Sequence, residues 1–126
     1  MTGVLDASTV LALLLGEPGS AAAEQYIGAG VLSAVNYSEV VARLSEVGAA
    51  AEFIRAQMEE LALTLVPFDQ EIALAAGMLR PATRDLGLSF ADRACLATAG
   101  AFALPAITAD QAWARLDIGI GIELIR

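Results

Sequence analysis

Short apolar runs, each leading into a segment of helical length, recur along the whole chain and leave few folds open. Gly3–Asp6, Val31–Ala34, Thr64–Pro67, Pro105–Thr108 and Gly121–Leu124 read as strands. Between them, helices are predicted over Ala7–Leu15, Ser20–Ile27, Asn36–Val47, Ala50–Leu61, the stretch from an Asp69 cap to about Leu79, Ser89–Ala99 and Gln111–Leu116. Gly16 and Pro18 stop the first helix, and Gly48 separates the third from the fourth. Pro81–Gly87 reads as a loop holding a helical turn. Val40, Val41, Leu44 and Val47 fall on one face of their helix, as do Phe53, Ile54, Met58 and Leu61 on the next. Strands separated by helices imply a parallel sheet with helices on both faces. Binding and catalytic sites of such sheets lie at the carboxyl ends of the strands.

The 126 residues fit one domain, 1–126, and a hydrophobic content of 57% supplies ample core. Fifteen acids stand against seven bases, all arginine, for a net charge of −8 without a single histidine. That composition excludes a Ser-His-Asp triad, a Cys-His pair, a His-ligated zinc, a P-loop lysine and a Schiff base. What remains for chemistry is carboxylates, hydroxyls, two tyrosines, one thiol and arginine. Cys95 is the only cysteine; it lies in the apolar run Ala94–Ala97 and reads as a buried structural thiol of a reducing compartment. Asp6 stands where a signal peptide would be apolar, and acids interrupt every apolar stretch, so a soluble cytoplasmic protein is expected. The negative balance argues against non-specific duplex binding but permits a nucleic acid approached through cations and a few arginines.

Four acids stand at the predicted carboxyl edge. Asp6 ends the first strand, Glu39 and Asp92 each lie one turn into a helix, and Asp110 follows the fourth strand. Each alone is explained by helix capping: Asn36-x-x-Glu39 and Ser89-x-x-Asp92 fit the cap-to-N3 pattern, and Asp6 and Asp110 fit plain N-caps. Together they would converge, and several ionised carboxylates a few ångströms apart repel unless a cation sits among them. Oxygen-only ligands suit Mg²⁺, or Mn²⁺ in its place.

The blocks Val4-Leu5-Asp6-Ala7-Ser8, Ser33-Ala34-Val35-Asn36 with Glu39, Leu88-Ser89-Phe90-Ala91-Asp92-Arg93-Ala94-Cys95-Leu96-Ala97, and Ile107-Thr108-Ala109-Asp110 with Ala112-Trp113 occur in that order. In this the chain resembles the PIN-domain ribonucleases, specifically VapC-type toxins of bacterial toxin–antitoxin pairs, over nearly its whole length. The resemblance implies a three-layer α/β/α fold around a five-stranded, mostly parallel sheet. It also implies Mg²⁺-dependent cleavage of a specific transfer or ribosomal RNA, a homodimer, and a VapB-type antitoxin that inhibits the enzyme in a heterotetramer or larger assembly. Family members often carry a further acid after the last motif aspartate; here Gln111 and Ala112 occupy those positions, so a four-acid site is expected.

Asp6, Asp92 and Asp110 are the expected metal ligands, direct or through water, and Glu39 is a ligand or the proton acceptor. The water so activated attacks phosphorus in line and leaves a 5′-phosphate and a 3′-hydroxyl. Ser8 and Thr108 are candidates to orient carboxylates, with a local turn or cap bond as the competing use. Asn36 is a candidate for the same role, with helix N-cap the stronger expectation. Arg93 is a candidate RNA contact, with a structural ion pair the competing use. Arg43, four residues after Glu39, is expected in an ordinary i,i+4 pair. Arg80, Arg84 and Arg115 are candidates for an RNA-facing rim, and Trp113 is expected in the core. The helices Asn36–Val47 and Ala50–Leu61 offer an apolar groove for a partner helix, unless the core consumes it. Two other classes remain: a catalytically silent PIN-like binding module, and a receiver-like or flavodoxin-like domain. The intact acids speak against the first, and the missing lysine and lack of paired acids after the first strand against the second.

Overall fold

The computed structural model describes residues 1–126. Five strands form one sheet: β1 (Gly3–Leu5), β2 (Gly30–Ser33), β3 (Thr64–Val66), β4 (Ala106–Thr108) and β5 (Ile122–Leu124). Their order is β3-β2-β1-β4-β5, and every neighbouring pair is parallel. Seven helices connect them: α1 (Ala7–Leu15), α2 (Ser20–Ala23), α3 (Ala34–Glu46), α4 (Ala51–Glu60), α5 (Gln70–Met78), α6 (Arg80–Thr83) and α7 (Phe90–Phe102). Tighter 3-10 turns cover Glu24–Tyr26, Arg84–Leu86 and Gln111–Arg115.

Consecutive strand residues point to opposite faces and divide the core in two. Leu5, Leu32 and Ile107 pack with Val10, Leu11, Val40, Leu44, Ile54 and Met58, so α1 to α4 cover one face. Val4, Val31 and Ala106 pack with Ile72, Ala76, Cys95, Leu96 and Trp113, so α5 and α7 cover the other. All residues of β1, β2 and β4 are buried, as a strand sandwiched between helix layers requires. A Cβ on Gly3 would lie 2.7 Å from Ile107 Cγ1, and one on Gly30 2.6 Å from Leu5 Cδ1. Glycine there lets the large side chains of adjacent strands fill the first face.

Several predicted details are corrected. Ser33, not Asn36, caps α3: it ends β2 in an extended conformation and its hydroxyl accepts a bond from Val35 N (3.2 Å). Asn36 therefore falls inside the first turn and is completely buried. Of the residues expected inward, Leu44 and Ile54 join the core, whereas Val47, just past the end of α3, and Phe53 are 73% and 58% exposed. The helix predicted over Ser20–Ile27 is α-helical only to Ala23 and tightens into a 3-10 turn. The segment after Asp110 is also a 3-10 turn. The last long helix runs past Ala99 to Phe102 and stops at Ala103, which takes a left-handed conformation (φ 53°). No helix is long and apolar enough to cross a membrane.

Candidate active site

The chain order reverses direction around β1: β2 and β3 lie on one side of it, β4 and β5 on the other. The crevice between the carboxyl ends of β1 and β4 is thus the switch point at which parallel α/β sheets bind ligands. Asp6 stands there, directly after Leu5, and caps α1 by accepting from Thr9 N (3.0 Å). Its carboxylate is almost wholly buried (5% exposed). Ser8 Oγ donates to its Oδ1 (2.6 Å) and Thr108 Oγ1 to its Oδ2 (2.7 Å), so donors arrive from the first turn of α1 and from the end of β4. Each hydroxyl has one proton, and both are spent on Asp6. The 3.4 Å approach of Ser8 Oγ to Thr108 Oγ1 is therefore not a hydrogen bond of its own. As acceptors the same hydroxyls take Ala109 N (2.9 Å) and Asp110 N (3.0 Å). They fix the backbone after β4 and the carboxylate after β1 in one network.

Thr9 completes that network and was not singled out in the sequence. It is fully buried, and its hydroxyl donates to Ile107 O (2.8 Å), tying the first turn of α1 to β4. A hydroxyl three residues past a capping aspartate is the only signal the sequence carries for it.

Asp92 lies in the first turn of α7, where it forms a reciprocal box with Ser89. Ser89 N donates to Asp92 Oδ2 (2.9 Å), and Asp92 N donates to Ser89 Oγ (3.1 Å). The predicted capping role is thus real, and it leaves Oδ1 without a protein partner. Glu39 lies in α3. Asn36 Nδ2 spans the gap between the two helices, donating to Ala91 O (3.1 Å) and, at 3.4 Å, to Glu39 Oε1. Asn36 Oδ1 is buried without a partner.

Electrostatics tie three of the acids together. Burial pushes the Asp6 carboxyl above the ordinary 3.8 despite the lowering bonds from Ser8, Thr108 and Thr9, and the charge of Asp92 adds to the rise. Glu39 rises above 4.5, through partial burial first, against the Asn36 bond, and with the charges of Asp92 and Asp6. Cys95, buried beneath them, is pushed well above 9.0 by burial and by the charges of Asp6, Asp92 and Glu39. Asp110 stands apart from this group. It is exposed, and its Oδ1 accepts from Ala112 N (3.0 Å) to cap the following turn.

No three acids or thiols are gathered into a ready-made metal cage. The donor set nonetheless fits a hard divalent cation. It is carboxylate oxygen throughout, and Asp6 and Glu39 both feel the repulsion of Asp92 that such an ion would relieve.

The arginines depart from expectation. The only ion pair in the chain joins Arg55 and Glu52 (3.7 Å). Arg93 forms none; its NH1 donates to Ala76 O (3.3 Å) in the last turn of α5, and its buried Nε has no partner. Arg43 does not pair with Glu39 either, since nothing in the chain holds its guanidinium. Trp113 is fully buried among Val4, Leu96 and their neighbours, as a core residue should be.

Comparison with known proteins agrees with this architecture. The PIN domain profile matches residues 3–119, and the chain belongs to the PIN-domain family. Among solved structures, a toxin–antitoxin complex from Klebsiella pneumoniae is similar at 20% identity and TM-score 0.76, over 99% of this chain and 98% of that one. VapBC-5 of Mycobacterium tuberculosis, a member of the VapBC toxin–antitoxin family, is 26% identical with TM-score 0.60, over 99% and 98%. VapC20 of the same organism, a sarcin–ricin loop cleaving toxin, is 14% identical with TM-score 0.72, over 92% and 97%. The comparison with curated proteins gave no match.

Proposed function

We propose that this chain is a VapC-type toxin, an endoribonuclease that uses Mg²⁺ to cut a specific transfer or ribosomal RNA and is held inactive by a VapB-type antitoxin. The observation that carries the reading is the clamp on Asp6. A buried carboxylate fixed by hydroxyls from the first turn of α1 and the end of β4, beside Asp92 whose charge repels it, is built for a cation at that point. The family and the toxin neighbours support the same reading.

Asp6 and the free oxygen of Asp92 would hold the ion, with Asp110 reaching it through water. Such an ion would supply Lewis acidity for a phosphoryl oxygen and would acidify a water. Ser8, Thr9 and Thr108 keep Asp6 from turning away as charge gathers. Glu39 accepts the proton of the attacking water: burial and two neighbouring carboxylates raise its affinity for a proton, and one long bond from Asn36 leaves it free to move. The 3′-oxygen departs in line and takes a proton from solvent water, giving 5′-phosphate and 3′-hydroxyl ends, and Glu39 returns its own proton to solvent. The chain has no histidine pair to use the 2′-hydroxyl instead.

For the antitoxin, a groove of about 390 Å³ lined by Tyr37, Arg55, Met58, Glu59, Ala62, Leu63 and Leu65 lies along α3, α4 and the edge strand β3. Leu65 is 55% exposed there, an apolar foothold for a partner helix. A second copy of the chain is the other expected partner.

The test is made in cells, by expressing the chain without a partner beside Asp92→Asn, whose amide oxygen can keep the Ser89 cap. New RNA 5′-phosphate ends are then mapped across the transcriptome. Discrete ends with the wild type alone, and arrested growth, are expected. Their absence with both proteins folded and abundant would favour the silent binding module.

A further inference from the structure

On the other side of α3 lies a second groove of about 390 Å³, lined by Ala7, Ser8, Leu11, Glu39, Ala42, Arg43 and Glu46. It opens directly from the acid site, because Ser8 and Glu39 belong to both. Arg43 is its one cation. Arginine four residues from one glutamate and three from another should pair on a helix surface, yet no carboxylate or carbonyl engages it. Three other arginines are engaged elsewhere, Arg55 with Glu52, Arg93 with Ala76 O and Arg126 with Pro18 O (2.9 Å), and the partnerless Arg80, Arg84 and Arg115 do not line this groove. A free guanidinium one helical turn, about 6 Å along the axis, from Glu39 meets the main electrostatic need of a chain with net charge −8 that must hold a polyanion.

We infer that this groove seats the RNA strand next to the cut, with Arg43 engaging the phosphate beside the scissile one through its fork of donors. The inference rests on the nuclease reading. It adds the side on which the strand leaves the acid site and the residue that grips it there. Glu46, one turn further along the same wall of the groove, works against the same phosphate and limits affinity for strands that bind without reaching the acids.

The test measures binding apart from cleavage. Anisotropy of a fluorescent single-stranded oligouridine is followed against salt, using the full chain with Ca²⁺. Arg43→Gln should weaken binding about tenfold and reduce the slope of log K against log salt by about 0.7. Arg43→Lys should keep the slope, because charge alone sets it. Glu46→Gln should tighten binding by about two- to threefold. Arg55→Gln, in the opposite groove, should change neither quantity. Arg43 is exposed, so thermal melts of its variants should match the wild type. If the wild type binds and cleaves RNA while Arg43→Gln keeps its affinity and slope, the groove assignment is wrong and the nuclease reading stands; Arg43 then serves another partner. If the wild type binds neither the oligouridine nor an RNA carrying the cleavage site mapped in cells, both readings fall together.

Discussion

Asp6 and Asp110 occupy matching places, each just beyond the carboxyl end of neighbouring parallel strands and each capping the turn that follows. Their surroundings differ. Asp6 follows its strand at once, so it lies inside the crevice, where Ser8, Thr9 and Thr108 converge on it. Asp110 comes two residues after Thr108, and that one extra residue carries it out to solvent with a single backbone partner. Position along a motif thus does not set how tightly a carboxylate is held. What sets it is whether donors from a second element can reach both oxygens.

The largest effect should separate the two acids directly. Asp6→Asn is expected to lower RNA cleavage by about 10³-fold or more, and Asp110→Asn by about ten- to a hundredfold, measured as kcat/KM on the mapped target. Equal losses would break the comparison and make Asp110 an equal ligand.

Removing the donors should come next. Ser8→Ala and Thr108→Val each leave Asp6 less oriented, with metal affinity falling about ten- to a hundredfold in titration calorimetry. Thr108→Val also strands the Asp110 amide, so it should cost about 1–3 kcal/mol of stability in denaturant melts. Unchanged metal affinity in both variants would mean that the clamp serves folding alone.

The smallest effect is the pH dependence of stability. Asp6 and Glu39 hold protons more tightly folded than unfolded, since both lie above their ordinary 3.8 and 4.5. Their contribution is therefore fully present below those values and lost as pH rises through the raised ones. Metal-free protein should melt higher at about pH 5 than at about pH 8, and Mg²⁺ should raise Tm more at the higher pH. Asp6→Asn should flatten this dependence. An unchanged dependence in Asp6→Asn would remove Asp6 as its source.

Much of this was legible in the sequence, because the alternation of strands and helices follows from hydrophobic periodicity, which is local. The Ser89–Asp92 box and the Asp6, Asp69 and Asp110 caps were legible for the same reason, as short-range backbone chemistry. What stayed hidden depended on contacts between distant residues. The grip of Thr108 on Asp6 spans 102 positions and that of Asn36 on Ala91 spans 55, so no window of sequence contains either. Asn36 was misread for a related reason. The strand before it ends at a serine that caps equally well, and only the packing of α3 against α7 decides between them. Val47 and Phe53 fit the apolar stripe of their helices by spacing, yet only their neighbours Leu44 and Ile54 are buried in the core.

Cys95 extends this picture beyond catalysis. Its Sγ lies 3.8 Å from Val4 O, sealed between α7 and the central strand, directly beneath the acids. A sealed thiol held far from its thiolate form is inert while the two layers stay closed. It is also the only thiol in the chain. A thiol reagent added in excess therefore becomes a clock for the opening of the platform that carries the acids. An ion or partner that braces the site should slow that clock even where no RNA is cut.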